Sequence, residues 1–362
     1  MLAQEHWTRP ETDSVQLVAY PRRGIAYCEE LYRAVAELGV ETAQGEWGGR
    51  WLLQHLRRGS LVHIHWPSFF YYQSGKPFAT LIGLLRFVAL LILMRLKGAR
   101  LAWTAHNLYP HDGGRALWVH RVARRFVARM SQTIFVHGPT AAALVADEFN
   151  IDPRKLELVP HGHWRQAYPP IPKRVDARRA LGLPANAFVY GFVGTTHPYK
   201  NVAGLVRAFA EADVDSHLLI AGKSPSRELS STLRNAIAPH VAGRVHFVDR
   251  FLEDDEIMTF VSAVDALVLP YRTILTSGAV MLALSAGVPV VVPRIGGLAD
   301  VVTRECGILY DAKVPGALAQ AMFDVRKRRY KPEEIIAHAM TFDWKDSARK
   351  LIDAAARPSP PR

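Results

Sequence analysis

The stretch that decides the fold lies at residues 188–209 and reads FVYGFVGTTHPYKNVAGLVRAF. Its first six residues are apolar or small, which is typical of a strand buried on both faces of a parallel sheet. A turn containing a glycine and a lysine follows. The next residues place apolar side chains three and four positions apart, which predicts an amphipathic helix. We therefore expect a strand over 188–193, a turn, and a helix over about 202–211.

The same alternation extends along the chain in both directions. Further strands are predicted over 15–20, 61–66, 101–105, 133–136, 216–221, 245–248, 266–269 and 288–292. Helices are predicted over 26–38, 117–130, 140–149, 253–262 and 278–285. Strands that alternate with helices predict an α/β protein with parallel sheets.

A proline-rich stretch separates two halves of this pattern. Residues 160–174 read PHGHWRQAYPPIPKR, and their prolines cannot lie inside a helix or a central strand. We predict an N-terminal domain over 1–165, a C-terminal domain over 166–340, and a helix and tail over 341–362 that either packs locally or crosses back to the N-terminal domain. Two α/β domains imply a cleft, and open parallel sheets bind ligands beyond the carboxyl ends of their strands.

Composition excludes several classes of protein. The chain has 362 residues, of which 49% are hydrophobic and 22% charged, so a disordered, collagen-like or coiled-coil protein is ruled out. Cys28 and Cys306 form no CxxC or Cys/His cluster, which argues against a disulfide framework or structural zinc and suits a reducing cytoplasm. The first residues lack the apolar core of a secretory signal.

The charge is concentrated and predicts an anionic partner. The net charge is +12, and residues 76–129 contain ten Lys or Arg against one acid. The same region includes FATLIGLLRFVALLILMRL at 78–96, which is long enough to span a bilayer. Arg86 and the flanking strands argue against a spanning helix. A buried core helix and a helix that dips one face into an anionic membrane, with 78–100 and 115–129 as the contact, both stay open. Nucleic acid is not expected, because no recognition motif accompanies the charge.

Two loops of the second half are suited to a diphosphate. Thr276, Ser277 and Gly278 open a predicted helix, where free backbone N–H groups and the helix dipole favour an anion. Ser277 alone can also be explained as a helix cap. The turn after the strand at 188–193 places Lys200 as a point charge beside a glycine. The carboxyl ends of both strands meet at one edge of the sheet, so we expect the two loops to lie together.

These motifs resemble glycosyltransferases of the GT-B fold. FVGTTHPYKNVAGLVRAF (192–209) resembles the strand, lysine loop and helix of their donor domain, and SGAVMLALSAGVPVVVPRIGGLADVV (277–302) resembles their donor-binding helix and GG loop. In the first half, HIHWP, WTAHNLYPH and LVPHGHW are similar to motifs of bacterial polysaccharide glycosyltransferases, including xanthan-type mannosyltransferases. The resemblance covers about residues 15–354. It implies two Rossmann-like domains whose parallel sheets face each other across a cleft.

The resemblance also implies an activity. We expect transfer of a sugar, with mannose from GDP-mannose favoured, to a lipid-linked (polyprenyl diphosphate) oligosaccharide in bacterial exopolysaccharide biosynthesis, at the cytoplasmic face of the cell membrane. No cofactor and no metal are expected, and the DxD triplet at 213–215 falls in a helix-to-strand connection. The residues expected to bind the donor are Gly194, Thr195, Lys200, Tyr271, Thr276, Ser277, Gly278 and His161.

The chain departs from the family at the catalytic positions. Many retaining members carry two glutamates seven residues apart, and here the matching positions are Leu275 and Leu282. This disfavours a retaining mechanism and favours inversion with a catalytic base. His106 and Asp112 are the candidate catalytic residues, because His106 ends a strand and Asp112 is an isolated acid among basic residues that can accept a proton.

The first strand-to-helix turn is a candidate acceptor site, and two other functions stay open. Arg22, Arg23 and Gly24 form the first strand-to-helix turn and are candidates for the acceptor diphosphate. A nucleotide-sugar epimerase of the same fold is one alternative, although it needs no membrane helix. A non-catalytic binder of polyanions or anionic lipid is the other, and it accounts for the charge without chemistry.

Overall fold

The computed structural model describes residues 16–110, 117–212 and 215–357, and these form two compact units. The first unit takes the described residues up to His161 together with those from Asp343 onward, and the second unit comprises Gly162–Phe342. Each unit contains its own six-stranded sheet, and every strand pair is parallel. The predicted α/β class with two parallel sheets is confirmed.

The sheet of the first unit has the order β2-β1-β3-β4-β5-β6. Its strands are β1 (Leu17–Tyr20), β2 (Thr42–Gln44), β3 (Leu61–Ile64), β4 (Arg100–Thr104), β5 (Thr133–Val136) and β6 (Leu156–Leu158). The four central strands are fully buried, as their apolar runs require. Its helices up to the boundary are α1 (Ala26–Glu37), α2 (Gly49–His55), α3 (Pro77–Leu96), α4 (Leu117–Met130) and α5 (Pro139–Phe149).

The sheet of the second unit has the order β12-β11-β10-β7-β8-β9. Its strands are β7 (Val189–Val193), β8 (His217–Ala221), β9 (Val245–Val248), β10 (Ala266–Val268), β11 (Val290–Pro293) and β12 (Gly307–Tyr310). Its helices are α6 (Arg174–Ala180), α7 (Val202–Ala212), α8 (Arg227–Asn235), α9 (Asp254–Ser262), α10 (Gly278–Ser285), α11 (Leu298–Val301), α12 (Ala317–Lys327) and α13 (Pro332–Met340).

A largely buried ion pair lies at the amino ends of β7 and β10 in this second sheet. The Arg178 guanidinium donates to Asp265 Oδ2 at 2.6 Å and to the carbonyls of Ala263 and Ala187. The same carboxylate accepts the Val189 N–H at the start of β7. The exposed Arg174 also donates to Asp265 Oδ1 at 2.5 Å. Because the carboxylate accepts from two arginines and a backbone N–H, and Arg178 also donates to backbone carbonyls, the pair is accommodated in a largely buried place.

The last helix, α14 (Trp344–Ala356), returns to the first unit and packs on α1. The buried Arg100 side chain donates to carbonyl groups at its C-terminal end, including that of Ala354 at 2.9 Å. The Ser347 hydroxyl donates to the Pro160 carbonyl at 2.7 Å. A cation placed at a helix C-terminus satisfies carbonyls that have no intrahelical donor, so Arg100 holds this helix end against the sheet.

Candidate functional site

The lysine loop of the second unit follows directly after β7. Gly194 takes a φ of +127°, which only glycine adopts readily, and a short 3-10 turn over Pro198–Lys200 leads into α7. The Lys200 ammonium lies 3.2 Å from the Thr195 hydroxyl and close to the Gly194 backbone. Burial lowers the pKa of Lys200 to about 8. The loop therefore holds a cation with little solvent around it. An anion bound there would raise the pKa of Lys200 back toward its usual value.

The second loop joins β10 to α10 and ends at a capped helix. Ser277 is the N-cap of α10, and its hydroxyl accepts the Val280 N–H at 3.3 Å. The Ser277 hydroxyl also lies 2.8 Å from the Tyr271 hydroxyl, and burial raises the pKa of that phenol to about 12. Ser277 can serve both as a cap and as part of an anion site, because a cap satisfies one N–H and leaves others at the helix start to meet an anion.

Contacts between aromatic rings and between backbones bring the two loops together. The rings of Tyr199 and Tyr271 stack with centroids 6.2 Å apart, and the Arg272 N–H donates to the Tyr199 carbonyl at 2.7 Å. On the other side, Gly296 approaches the loop so closely that a Cβ there would clash with the Ile274 carbonyl oxygen. The predicted donor residues of this unit consequently share the carboxyl edge of one sheet: Gly194, Thr195, Lys200, Tyr271, Thr276, Ser277 and Gly278.

Side chains that the sequence did not single out complete this edge. The Trp164 indole N–H donates to the Gly278 carbonyl at 2.9 Å and so braces the start of α10. A cavity of about 500 Å³ lies beside it, lined by Asn201, Tyr271 and Arg272 among others. The sequence shows that Tyr199 is next to Lys200 and that Arg272 lies two residues after Pro270. It does not show that Tyr199 and Arg272 contact each other.

The two positions that match the family's glutamates are apolar and buried. Leu275 is 3% exposed and Leu282 is 7% exposed, so neither offers a polar group to a sugar. The site therefore has a cation and helix N–H groups for a leaving diphosphate, with no carboxylate at these two positions.

His106 lies at the carboxyl end of β4 in the first unit, inside a group of histidines. Its Nε2 is 3.1 Å from His65 Nδ1, and its ring contacts those of Tyr27 and His137. Burial, together with the neighbouring imidazoles, holds the pKa of His106 well below its usual value. At neutral pH the ring is uncharged and offers one donor and one acceptor.

His161 belongs to this same group. Its ring lies 5.4 Å from that of His137 and also contacts Tyr27 and Trp344, all within the first unit. Donor binding by His161 stays a prediction. His137 and the other buried histidines of the group were not predicted from the sequence, although the alternation of two histidines in the buried strand HIHW was a signal for them.

The remaining predicted residues divide into those the structure describes and those it does not. Asp112 lies outside the described residues, as does Asp213 of the DxD triplet. Gly24 takes a φ of +81°, and its N–H donates to the Glu29 carboxylate at 2.9 Å. That amide is therefore already engaged by an acid, whereas Arg23 is exposed and Arg22 is half-buried. Acceptor binding by this turn stays a prediction.

Helix α3 presents an apolar face that the protein leaves uncovered. One face, including Leu84, Phe87 and Leu91, packs into the first unit. The opposite face exposes between 38% and 74% of each large side chain, at positions three, four or seven apart that fall on one side of the helix: Phe78, Leu81, Ile82, Leu85, Ile92 and Leu96. We call these six residues the α3 stripe. By length and composition α3 is the one helix among the described residues that could cross a membrane.

Helix α4 packs beside α3 and has a different outer face. Trp118 and Val122 are exposed there together with Arg121, Arg125 and Arg129. Exposed basic side chains thus lie on the helix that packs against α3, with Arg86 exposed on α3 itself. As for metals, no group of three or more histidine, cysteine or acidic side chains in the described part of the chain is arranged to hold an ion.

This chain is similar to a glycosyltransferase family and to proteins named as glycosyltransferases. Residues 187–327 match the family described as Glycosyl transferases group 1. The D-inositol 3-phosphate glycosyltransferase of Corynebacterium efficiens is 26% identical over 95% of this chain and 82% of its own length. The GDP-mannose:glycolipid 4-beta-D-mannosyltransferase of Xanthomonas campestris pv. campestris is 27% identical over 74% of this chain and 72% of its own length.

Solved structures agree on the fold. Sucrose-phosphate synthase from Thermosynechococcus elongatus superposes with a TM-score of 0.65 at 17% identity, covering 95% of each chain. Anabaena HepE in complex with UDP and glucose superposes with a TM-score of 0.69 at 16% identity, covering 94% of this chain and 98% of that one. At such identities the likeness shows the fold alone. Neither the epimerase nor the non-catalytic alternative gains support from these relatives.

Proposed function

We propose that this chain, which is a group 1 glycosyltransferase of the GT-B fold, transfers mannose from GDP-mannose to a lipid-linked oligosaccharide in bacterial exopolysaccharide biosynthesis. The observation that carries the proposal is the lysine loop joined to the start of α10 at one sheet edge, where Lys200 and helix N–H groups meet. GDP-mannose as donor and a glycolipid as acceptor are supported by the relative from Xanthomonas.

The leaving group is the diphosphate, and its negative charge grows as the bond to the sugar breaks. Lys200 supplies a point charge in a site of low dielectric, and the first N–H groups of α10 supply dipoles aimed at the same anion. We propose that no metal takes part in neutralising the diphosphate, and the cation and helix start at this edge support that proposal. We assign donor binding to Gly194, Thr195, Lys200, Tyr271, Thr276, Ser277 and Gly278.

We further propose that the reaction inverts the sugar's configuration. Leu275 and Leu282 leave the family's two glutamate positions without a carboxylate. His106 and Asp112 then act at the reacting centre, with Asp112 as the base that takes the acceptor's proton. Proton NMR of the product tests the stereochemistry directly: an α-linked mannose from this α-linked donor would refute inversion.

The donor is tested by the thermal stability of the purified chain with GDP, UDP, ADP or dTDP at equal concentration. A ligand at about 100 times its dissociation constant adds about 2.7 kcal/mol to stability. We expect GDP to raise the melting temperature most, and Lys200→Met to abolish that rise. A larger shift with UDP would replace the donor, and equal shifts with every nucleotide in wild type and variant would refute the site.

The α3 stripe supports the membrane-bound part of the proposal. Six exposed apolar side chains on one helix face, with exposed basic residues on the adjacent helix α4, match a surface that inserts shallowly while its cations meet anionic head groups. The opposite face of α3 is packed on protein, so we propose that the helix lies in the plane of the membrane rather than across it. The chain would thus be peripheral at the cytoplasmic face, where a lipid-linked acceptor is reached.

Vesicle flotation tests this surface. Each Leu or Phe side chain transferred from water is worth about 1.5–3 kcal/mol, so Phe78→Glu with Leu85→Glu is expected to lower vesicle affinity at least tenfold. Phe251→Glu is the matched control, since Phe251 is 62% exposed in the second unit. Arg121→Gln with Arg125→Gln should weaken binding to phosphatidylglycerol vesicles and spare phosphatidylcholine vesicles. Equal flotation of all variants would contradict the proposal.

A further inference from the structure

A line of hydrogen-bonded side chains runs through the interior of the first unit and ends at His106. The Tyr32 hydroxyl oxygen lies 2.8 Å from His63 Nδ1 and 2.7 Å from His65 Nε2. His63 Nε2 lies 2.8 Å from the Thr104 hydroxyl oxygen, and His65 Nδ1 lies 3.1 Å from His106 Nε2. We call Thr104, His63, Tyr32 and His65, in this order, the imidazole chain.

The imidazoles in this line are uncharged at neutral pH. Burial lowers the pKa of His63 to about 3, and burial with neighbouring imidazoles holds the pKa values of His65 and His106 well below the usual range. Each ring therefore has one N–H and one bare nitrogen. The titratable groups that face His106 from the elements packed around it are Tyr27, His65, His137 and His161.

With one proton per group, the line can be ordered in only two ways. The single proton of Tyr32 goes to one neighbouring histidine, and the other histidine must donate to the Tyr32 oxygen. His65 has one N–H. If its Nε2 carries the proton, His65 donates to Tyr32 and accepts from His106. If its Nε2 is bare, the proton is on Nδ1 and His65 donates to His106. The position of the proton on His106 is thus coupled, through His65, Tyr32 and His63, to the Thr104 hydroxyl at the far end.

Thr104 selects one of these two orders. Its side chain is 1% exposed, and within the described part of the chain His63 Nε2 is the polar atom that lies within hydrogen-bond distance of its hydroxyl. A buried hydroxyl left without an acceptor for its proton is unfavourable. Thr104 therefore donates to His63 Nε2, His63 Nδ1–H to Tyr32, Tyr32 to His65 Nε2, and His65 Nδ1–H to His106 Nε2. His106 then carries its own proton on Nδ1.

We propose that the imidazole chain holds His106 as a neutral ring protonated on Nδ1, with its Nε2 occupied by the His65 Nδ1–H, so that His106 does not serve as the base. The members of the chain are positioning residues, since they act through His106. This inference rests on the proposed function in one respect, the presence of His106 at the reacting centre. It assigns removal of the acceptor's proton to a group other than His106.

Histidine NMR of the full-length chain reads the tautomer without any turnover. In protein labelled with ¹⁵N-histidine, we expect the ring nitrogens of His106, assigned by the disappearance of its signals in His106→Gln, to show a protonated Nδ1 and a bare Nε2 unchanged from pH 6 to pH 8. Thr104→Val removes the terminal donor with little change of shape, and it should turn His106 into a mixture of tautomers. Thr104→Ser should restore the single form. A bare Nδ1 in wild type, or no change in Thr104→Val, overturns the proposal.

Kinetics test the consequence for catalysis. Tyr32→Phe interrupts the line. Loss of the outer partner of a metal-ligating histidine costs about 10-fold to 100-fold, and we expect the lower end of that range here: kcat with GDP-mannose and a synthetic prenyl-diphosphate disaccharide should fall about 10-fold while the KM for GDP-mannose changes little. Tyr71→Phe is the matched control, because its hydroxyl is bonded to the buried His120 at 2.9 Å in the same unit. It should retain wild-type kcat.

The tautomer and the positioning role can fail separately from the proposed function. If the chain transfers no mannose, the proposed function fails, and the NMR result on His106 still decides the tautomer. If Tyr32→Phe alters the His106 signals but keeps full kcat with a folded chain, the positioning role is refuted and the donor site is untouched. If Tyr32→Phe does not fold, Thr104→Val with its Thr104→Ser rescue supplies the same kinetic comparison.

Discussion

Replacing Lys200 by methionine is expected to stabilise the protein while it removes donor binding. The pKa of Lys200 is lowered by burial from 10.5 to about 8. Each pH unit corresponds to about 1.36 kcal/mol, so keeping this ammonium charged at pH 7 costs the free protein about 3 kcal/mol. The interactions that the ammonium makes in return are weak: one hydrogen bond to Thr195 and two aromatic rings each 5.9 Å away.

The net gain should be about 2 kcal/mol, or roughly 4–8 °C in the melting temperature of a unit of this size. Differential scanning calorimetry of Lys200→Met measures it, and Lys223→Met is the control, an exposed lysine that follows the neighbouring strand. The advantage of the variant should shrink as pH rises from 8 to 10.5, because the folded wild type loses its proton first and regains stability. In the same samples GDP should shift wild type and Lys223→Met, but not Lys200→Met. If Lys200→Met is less stable than wild type, burial of the Lys200 ammonium does not destabilise the free protein. If Lys200→Met still binds GDP, the donor site is refuted.

Two further stability predictions concern buried charge. The pKa values of His63 and His137 are lowered by burial to about 3, so each takes up a proton on unfolding below pH 6.5. From pH 6.5 to pH 5 these two histidines alone should lower the stability of the first unit in urea unfolding by about 3 kcal/mol. A flat profile would refute neutral burial. Arg178→Met removes the buried partner of Asp265, whose side chain is 15% exposed and still pairs with Arg174, so its cost should exceed about 1 kcal/mol but stay below the cost of about 3–5 kcal/mol for a buried charge left unpaired. Arg174→Met, at the exposed arginine on the same carboxylate, should cost under about 1 kcal/mol in the same assay.

The sequence was sufficient for the central strands and for the loops that follow them. Central strands of a parallel sheet are covered on both faces, so their apolar runs are unbroken and nearly every one was predicted to within two residues. The strands it missed, β2, β6 and β12, lie at sheet edges and have three or four residues each. An edge strand such as Thr42–Gln44 is half-covered and needs no apolar run, because its neighbour supplies the hydrogen bonds.

The candidate site was predictable only where its parts are close in sequence. Lys200 and Ser277 each follow a strand, and parallel topology places strand ends at one edge, so their proximity could be inferred. The stacking of Tyr199 on Tyr271 could not, since it depends on side-chain directions in two loops some seventy residues apart. The imidazole chain was missed for the same reason: its members come from α1, β3 and β4, and each looks like an ordinary buried polar residue until the three elements pack.

The α3 segment shows why hydropathy alone leaves its environment open. A helix covered by protein on one side and by lipid on the other is apolar all round, and so are a core helix and a spanning helix. What separates these cases is which face the protein covers, and that depends on neighbours the segment does not contain. In the structure Phe87 and Leu91 are buried while Leu85 and Leu96 remain more than half exposed, so protein covers one of two apolar faces. Exposed arginines lie on α4, the helix that packs against α3, and an uncovered apolar face with basic residues on the adjacent helix is the argument for a membrane at that face.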